Sequence, residues 1–179
     1  YNSRGTTYTF LKKYDLAIAD FNKSLELMPQ EGAIYYNRGR VYYEKRDYDS
    51  AIKDFTKALE LNPQSAEAYN ARGLNHQYKG NLDSALQDFT KAVSLAEKEG
   101  VYYFNRANIY FLKGNLDLAV ADYTKAVEIY PVWTPAYRGR AAAYKKQGQN
   151  KLADRDLQKA GEVEKENFNP INKMVLINP

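Results

Sequence analysis

The 179-residue sequence contains no cysteine, a single histidine and no apolar stretch approaching 18 residues. The lack of cysteine excludes disulfides, thiolate metal sites and a cysteine nucleophile, and the short apolar stretches predict no membrane span. The sequence also lacks a P-loop and the glycine fingerprint of dinucleotide-binding proteins. We find no catalytic constellation, and we predict that the chain is not an enzyme and uses no metal and no cofactor.

Charge is not spread evenly along the chain, although the net charge is +4. Residues 1–133 contain 17 basic and 17 acidic side chains, whereas residues 134–179 contain nine basic and five acidic ones. A nucleic-acid-binding protein usually distributes basic charge along the whole surface that follows the phosphates. The distribution therefore makes nucleic acid an unfavoured partner.

The strongest feature is an internal repeat of 34 residues, which is typical of stacked helical units. Tyrosine recurs at Tyr1, Tyr35, Tyr69, Tyr103 and Tyr137. An aromatic column that ends in leucine contains Phe21, Phe55, Phe89, Tyr123 and Leu157. The period divides the chain into repeats at about 1–31, 32–65, 66–99, 100–133 and 134–166, followed by a C-terminal tail, 167–179.

Each repeat predicts two helices, which we name A and B in chain order. In the second repeat they cover about residues 32–45 and 49–61. Asp47, Asn81 and Asn115 precede helix B, where a side-chain oxygen can cap free N–H groups. Gly39 on helix A and the small residues of helix B let the two helices approach closely, while Phe55 fills the space beside them.

This order of residues resembles the tetratricopeptide repeat family: an aromatic residue, glycine and tyrosine in helix A, Ala…Phe…Ala in helix B, and a closing proline. The resemblance implies an all-α fold, a right-handed superhelical solenoid of stacked helix-turn-helix repeats. It also implies a concave groove, lined by the A helices, that binds peptides or protein segments. The carboxylate clamp of the family's co-chaperones is not matched, because the clamp positions counted from the second repeat hold Tyr36, Arg40, Ala71, Val101 and Asn105.

The two ends of the repeat array differ. The first repeat lacks the first three positions of helix A, so we expect more sequence upstream. In the fifth repeat Asp154 and Gly161 replace apolar residues, which predicts a solvated terminal helix. The tail is expected to fold back over that helix, to hang loose, or to lie in the groove of another copy, which leaves self-association open.

Arginine recurs in helix A of all five repeats, and aspartate recurs in helix B. A partly buried arginine needs a partner, so we expect an Arg–Asp ladder within or between repeats. The alternative is that some of these arginines point into the groove. The ladder residues are Arg4, Arg38, Arg72, Arg106, Arg140, Asp20, Asp54, Asp88, Asp122 and Asp156. The single histidine, His76, lies in a tyrosine column and is interpreted as a packing residue.

The groove is predicted by elimination, from helix A positions that packing does not use. Asparagine can grip a peptide backbone through its donor and its acceptor, and aromatic side chains offer large, rigid contact areas. The predicted groove residues are Tyr36, Asn37, Arg40, Tyr43, Asn70, Leu74, Gln77, Phe104, Asn105, Asn108, Phe111 and Arg138. The alternative is an ordinary solvated helix face with scattered tyrosines.

These features favour a protein-protein interaction scaffold that binds a peptide or protein segment of unknown identity. One alternative is a recruitment or regulatory domain of a larger multidomain protein or enzyme. Another is an RNA-binding helical solenoid, because aromatic residues and arginine can stack on bases. A cytoplasmic location is favoured, and a periplasmic one stays open if an upstream signal peptide has been removed.

Overall fold

The computed structural model describes residues 1–168, which form ten α-helices and no strand. The odd-numbered helices are the A helices and the even-numbered ones the B helices of the five repeats. Their bounds are α1 Asn2–Phe10, α2 Tyr14–Leu27, α3 Gly32–Glu44, α4 Tyr48–Leu61, α5 Ala66–Tyr78, α6 Leu82–Leu95, α7 Gly100–Leu112, α8 Leu116–Ile129, α9 Thr134–Lys146 and α10 Asn150–Phe168. The predicted all-α fold class is confirmed, and the two helices predicted for the second repeat differ from α3 and α4 by one residue each.

The helices form two compact units, which we name the N-terminal unit (residues 1–96) and the C-terminal unit (from Glu97). In both units the A and B helices of a repeat pack against each other, and a B helix packs against the A helix that follows it. No helix within the described residues is long and apolar enough to cross a membrane.

The core of each repeat lies between its A and B helices. Phe21, Phe55 and Phe89 are almost completely buried there. A Cβ atom on Gly39 would lie 3.1 Å from the ring of Phe55, a contact tighter than most that Cβ atoms make. Glycine in this column therefore sets the close approach of the two helices, as the repeat pattern predicts.

The predicted caps of the B helices form in only one of the three repeats. The Asp47 carboxylate accepts a hydrogen bond from the backbone N–H of Ser50 at 3.1 Å. Asn81 and Asn115 occupy the same position without a side-chain cap, so the prediction is wrong for both. After Gly80, which has a φ of +79°, the N–H of Leu82 instead donates to the Gly80 carbonyl oxygen at 2.9 Å.

The last helix, α10, is the longest and has one exposed face. Ala153, Ala160 and Val163 are buried against the rest of the unit, whereas Asp154 and Leu157 are exposed. This agrees with the solvated terminal helix expected from the sequence. The backbone of residues 167 and 168 ends α10, and the rest of the predicted tail, with its proposed self-association, lies outside the described residues.

Candidate partner-binding face of the A helices

Within each unit, neighbouring A helices contact one another through side chains that lie 35 residues apart, and we call the surface they form the A-helix face of that unit. In the N-terminal unit the Asn37 side-chain amide donates to Asn2 Oδ1 at 3.4 Å. The Tyr43 hydroxyl donates to the Tyr78 hydroxyl, also at 3.4 Å. Because the spacing is one residue longer than the repeat, each side chain reaches diagonally to the next A helix. The A-helix face is therefore a continuous surface across α1, α3 and α5.

Three tyrosines form a cluster at one edge of this face. The rings of Tyr43 and Tyr78 have centroids 5.7 Å apart, and Tyr48 from α4 stacks on Tyr78 at 5.2 Å. The hydrogen bond to Tyr78, together with partial burial, raises the pKa of Tyr43 to about 12. Tyr78 remains largely exposed, so the cluster offers a rigid aromatic surface. Sequence reasoning missed Tyr48, because it lies on a B helix.

Two clefts open beside the predicted groove residues of the N-terminal unit. One of about 230 Å³ is lined by Asn37 and Arg40 from α3 and by residues of α1 and α2. The other, of about 420 Å³, is lined by Tyr36 and Glu67. The Tyr36 ring meets Phe55 edge-on at 5.5 Å, and burial raises the pKa of its hydroxyl. Tyr36 therefore combines packing with a place at the surface.

The other predicted residues of the N-terminal unit differ in exposure. Arg40 is exposed, whereas Asn70, Leu74 and Gln77 are half-buried. Together with the tyrosine cluster they give this unit a face of aromatic and amide groups. Arg40 and Glu44 leave its charge nearly balanced.

In the C-terminal unit three predicted groove residues have packing roles. The expectation that packing does not use these helix A positions is therefore wrong for them. Phe104 packs on Trp133 with a centroid distance of 4.6 Å, and Asn105 is only 8% exposed. Asn108 Oδ1 accepts a hydrogen bond from the Tyr123 hydroxyl at 2.6 Å. These three positions were expected to be free of packing. Instead, Phe104 contacts Trp133, Asn105 is buried, and Asn108 bonds to the Tyr123 hydroxyl.

The remaining predicted residues of the C-terminal unit lie next to basic side chains. Phe111 is half-buried, and Lys146 Nζ lies 4.3 Å from the centroid of its ring. Arg138 is exposed, and its guanidinium donates to both carboxylate oxygens of Glu164 at 2.8 and 3.0 Å. The A-helix face of the C-terminal unit is thus basic.

The five arginines of the predicted ladder all reach a B helix. Each forms a bidentate pair of hydrogen bonds with the aspartate 16 residues later in its own repeat. In the third repeat, Arg72 donates to the two carboxylate oxygens of Asp88 at 2.7 and 2.9 Å. The pairs are Arg4–Asp20, Arg38–Asp54, Arg72–Asp88, Arg106–Asp122 and Arg140–Asp156. Hydrogen bonding to Arg4 lowers the pKa of Asp20, which keeps the carboxylate charged.

Several of these arginines also connect successive repeats. The free guanidinium nitrogen of Arg72 donates to the hydroxyl of Thr56 at 3.2 Å, and that of Arg140 donates to Thr124 at 3.1 Å. Arg38 makes the equivalent bond to Asn22 at 2.6 Å. One guanidinium therefore ties three helices together, which sequence spacing alone does not reveal.

His76 lies beside the third pair, with Nε2 4.0 Å from an oxygen of Asp88. Burial lowers its pKa, and the positive charges of Arg72 and Lys79 act in the same direction, while Asp88 opposes them. Its Nδ1 atom is buried and has no hydrogen-bond partner among the described residues. No group of three or more His, Asp or Glu side chains within residues 1–168 could hold a metal ion.

Comparison with known proteins agrees with this architecture. Sequence models of the tetratricopeptide repeat match residues 1–31, 32–65, 66–99 and 101–131. No curated protein matches the sequence. A crystal structure of MamA is 25% identical over 91% of this chain and 95% of that chain, with a TM-score of 0.87.

Two further solved structures share the fold at lower identity. MamA from Desulfovibrio magneticus RS-1 is 18% identical, with a TM-score of 0.89 over 94% of this chain and 96% of that chain. YrrB, described as a TPR protein with an unusual peptide-binding site, is 24% identical. Its TM-score is 0.79 over 91% of this chain and 84% of that chain. The predicted helical-solenoid class is thereby confirmed.

Proposed function

Because this chain belongs to the tetratricopeptide repeat family, we propose that it is an interaction scaffold that holds a segment of a partner protein on its A-helix faces. The observation that carries this proposal is the set of diagonal contacts that joins successive A helices. They make each face continuous, which suits a ligand that runs from one repeat to the next.

The chemistry of the N-terminal unit supports an extended peptide as the ligand. Gln77 and Asn37 can each donate to a peptide carbonyl and accept from a peptide N–H. The tyrosine cluster of Tyr43, Tyr48 and Tyr78 adds aromatic area that is already ordered, so binding costs little side-chain entropy. A peptide bound in this way would be held mainly by its backbone and by one or two apolar side chains.

The comparison with YrrB is consistent with this proposal, because that protein has a peptide-binding site. The carboxylate-clamp positions in this chain hold other residues, so a different recognition chemistry is needed. The exposed aromatic and amide groups of the N-terminal unit supply one.

A selection experiment tests the location of the site. A random peptide library displayed on phage is selected on the immobilised chain, and the affinities of enriched peptides are measured by calorimetry. The test variant, Arg40→Ala/Gln77→Ala/Tyr78→Ala, changes only the A-helix face. The control, Lys53→Ala/Gln87→Ala/Thr90→Ala, removes three exposed residues of the B helices α4 and α6.

We expect the test variant to weaken binding of the main peptide class at least about tenfold, and the control to leave it within about twofold. Circular dichroism establishes that all three proteins are equally helical. Equal loss in both variants, or loss only in the control, would overturn the A-helix face as the site.

A further inference from the structure

Charge in the C-terminal unit is separated by helix type. The A helices α7 and α9 contain five basic side chains and no acidic one. The B helices α8 and α10 contain five basic and eight acidic side chains. The A-helix face of this unit is therefore positive, although the unit as a whole carries little net charge.

Three of the five basic side chains on these A helices are already neutralised. Arg106 and Arg140 belong to the Arg–Asp ladder, and Arg138 pairs with Glu164. The remaining two, Lys145 and Lys146, have no ion-pair partner within the part of the chain that the structure describes. Both are exposed, so their charge is available to a ligand.

The helix dipole alone does not account for the positions of these lysines. Cations near a helix C-terminus are stabilising wherever they lie around the last turn. Lys146, however, lies 4.3 Å from the ring centroid of Phe111 on the neighbouring A helix. Leu112, which follows Phe111, is 58% exposed. The Lys146 ammonium group therefore lies next to the apolar surface formed by Phe111 and Leu112.

Lys145 lies beside a second, mixed surface that contains both apolar and charged side chains. It lines a cleft of about 530 Å³ between α9 and α10, together with Ala142, the half-exposed Leu157 and the charged side chains of Arg138 and Asp154. Both lysines therefore lie beside apolar side chains: Lys146 lies over Phe111 of α7, and Lys145 lines the same cleft as Leu157 of α10. The equivalent positions of the preceding repeat hold Phe111 and Leu112, so packing of the repeat does not require lysine there.

We propose that this surface binds an acidic segment of the partner protein, in which carboxylates that meet Lys145 and Lys146 are flanked by aliphatic or aromatic side chains. The inference rests on the proposed scaffold function and names the chemistry of its ligand. Carboxylates complement the two free charges, while apolar side chains cover Phe111, Leu112 and Leu157. Neither lysine occupies a position of the carboxylate clamp, so this surface is a separate feature.

RNA is the competing anionic ligand, and the surface fits it less well. Binding to a phosphate backbone gains affinity with each phosphate that is neutralised. Two free cations would neutralise only two phosphates, because the other cations of α7 and α9 are ion-paired within the described residues. An acidic peptide needs only two carboxylates and uses the apolar surfaces as well.

The same phage library provides the test, this time on three forms of the full chain. Peptides are selected on the parent and on Lys145→Gln/Lys146→Gln, and on a control, Lys159→Gln/Lys165→Gln, that removes two exposed lysines from α10. One peptide lost in the test variant is then synthesised with carboxylates and with the matching amides. Both forms, and a single-stranded RNA 12-mer, are titrated against the parent.

We expect the peptides lost in the test variant to be enriched at least about twofold in Asp and Glu, and to survive in the control. The amide form is expected to bind at least about tenfold more weakly than the carboxylate form, and the difference to shrink at high salt because the charges are exposed. The proposal is overturned if the lost peptides carry no acidic enrichment, if none is lost, or if RNA binds more tightly than the carboxylate peptide. In each of these cases, neutral peptides that still depend on Arg40, Gln77 and Tyr78 would leave the scaffold function intact, whereas failure to select any peptide would count against both.

Discussion

The Tyr123 hydroxyl donates a hydrogen bond to the side-chain oxygen of Asn108 at 2.6 Å, inside the packing of α7 against α8. Tyr123 is nearly fully buried, so this hydroxyl needs a partner in the protein. The preceding repeat has Leu74 and Phe89 in the same two positions. The fourth repeat thus replaces an apolar pair with a hydrogen-bonded pair.

This pair predicts a non-additive double-mutant cycle. Asn108→Leu is expected to lower the free energy of unfolding by about 1–3 kcal/mol, because it leaves a buried hydroxyl without a partner. The double variant Asn108→Leu/Tyr123→Phe recreates the third repeat and should recover most of that loss. Urea unfolding followed by circular dichroism measures both. Equal destabilisation in the single and double variants would show that Asn108 contributes by packing alone.

Two tyrosines predict a loss of stability at alkaline pH. Burial raises the pKa of Tyr123 to about 12, and the bond to Tyr78 together with burial raises that of Tyr43 to about 12. The unfolded chain releases the two tyrosine protons near pH 10, whereas the folded chain holds them to a higher pH. The contribution of these tyrosines to the free energy of unfolding is therefore complete below pH 10 and is lost as the pH rises towards 12. Urea midpoints measured from pH 9 to 11.5 should fall, and they should fall less steeply for Tyr123→Phe. An unchanged slope in that variant would argue that Tyr123 titrates normally.

The Arg–Asp ladder predicts a difference between its inner and its first pair. The side chain of Arg72 is 21% exposed and that of Asp88 is 6% exposed, whereas Arg4 is 59% exposed. Removing one partner of a buried pair costs about 3–5 kcal/mol, so Arg72→Ala should approach that range. Arg4→Ala should cost clearly less, because Arg4 is itself mostly exposed and water can take its place beside Asp20. Thermal unfolding of the two variants gives the ranking, and an equal cost for both would contradict it.

A matched control separates the charges from the packing. In Arg72→Met/Asp88→Leu both charged groups are replaced by apolar ones, so no unpaired charge remains. Such replacements are often neutral or stabilising, and most of the loss seen in Arg72→Ala should disappear. A double variant as unstable as the single one would show that the bond to Thr56 dominates.

The sequence predicted the ladder and the fold better than it predicted which helix A side chains are free of packing. The period of 34 residues placed an Arg and an Asp in every repeat, and regular spacing keeps such pairs in register. Phe104 could not be excluded from the predicted groove by its repeat position, because Trp133, which packs on it, lies in a loop outside the repeating columns. The spacing of 35 residues in the contacts of the A-helix face, as between Tyr43 and Tyr78, depends on how the helices cross. Sequence columns at 34 do not show it.

For Asn108 the sequence did contain a signal. The fourth repeat has tyrosine in the phenylalanine column, and it has asparagine at a variable helix A position where the third repeat has Leu74. Two polar groups that replace an apolar pair suggest a hydrogen bond between them. The groove was predicted one helix A position at a time, without considering partners on helix B, so Asn108 was assigned to the groove.

His76 predicts a loss of stability at acidic pH. Its pKa is lowered from 6.5 in the folded chain, mainly by burial and further by Arg72 and Lys79, against the opposing charge of Asp88. The unfolded chain therefore binds the proton more readily, and stability is lost as the pH falls below about 6.5. His76→Tyr restores the residue of the other repeats and should flatten the dependence of the urea midpoint between pH 7 and 5. The same slope in both proteins would assign the acid sensitivity to carboxylates instead.

Asn75 predicts a stabilising substitution in the core of the third repeat. It is only 1% exposed, and its Oδ1 atom has no hydrogen-bond partner within residues 1–168. Its Nδ2 atom donates to the Ala71 carbonyl at 2.8 Å, an oxygen that lies one helical turn earlier. The equivalent positions of the second and fourth repeats hold Val41 and Ile109, both fully buried. Asn75 is therefore a polar residue in an apolar column.

An unpaired buried polar atom costs about 1–3 kcal/mol, so Asn75→Val should raise the free energy of unfolding by an amount in the lower part of that range. Asn75→Ala is the control, because it removes the same polar atoms but leaves a cavity, which costs stability in proportion to its volume. The Asn75→Val variant should thus be more stable than the parent, and the Asn75→Ala variant should be less stable than Asn75→Val. If both variants are less stable than the parent, Oδ1 has a bonding partner in solution, and the asparagine contributes to the stability of this repeat.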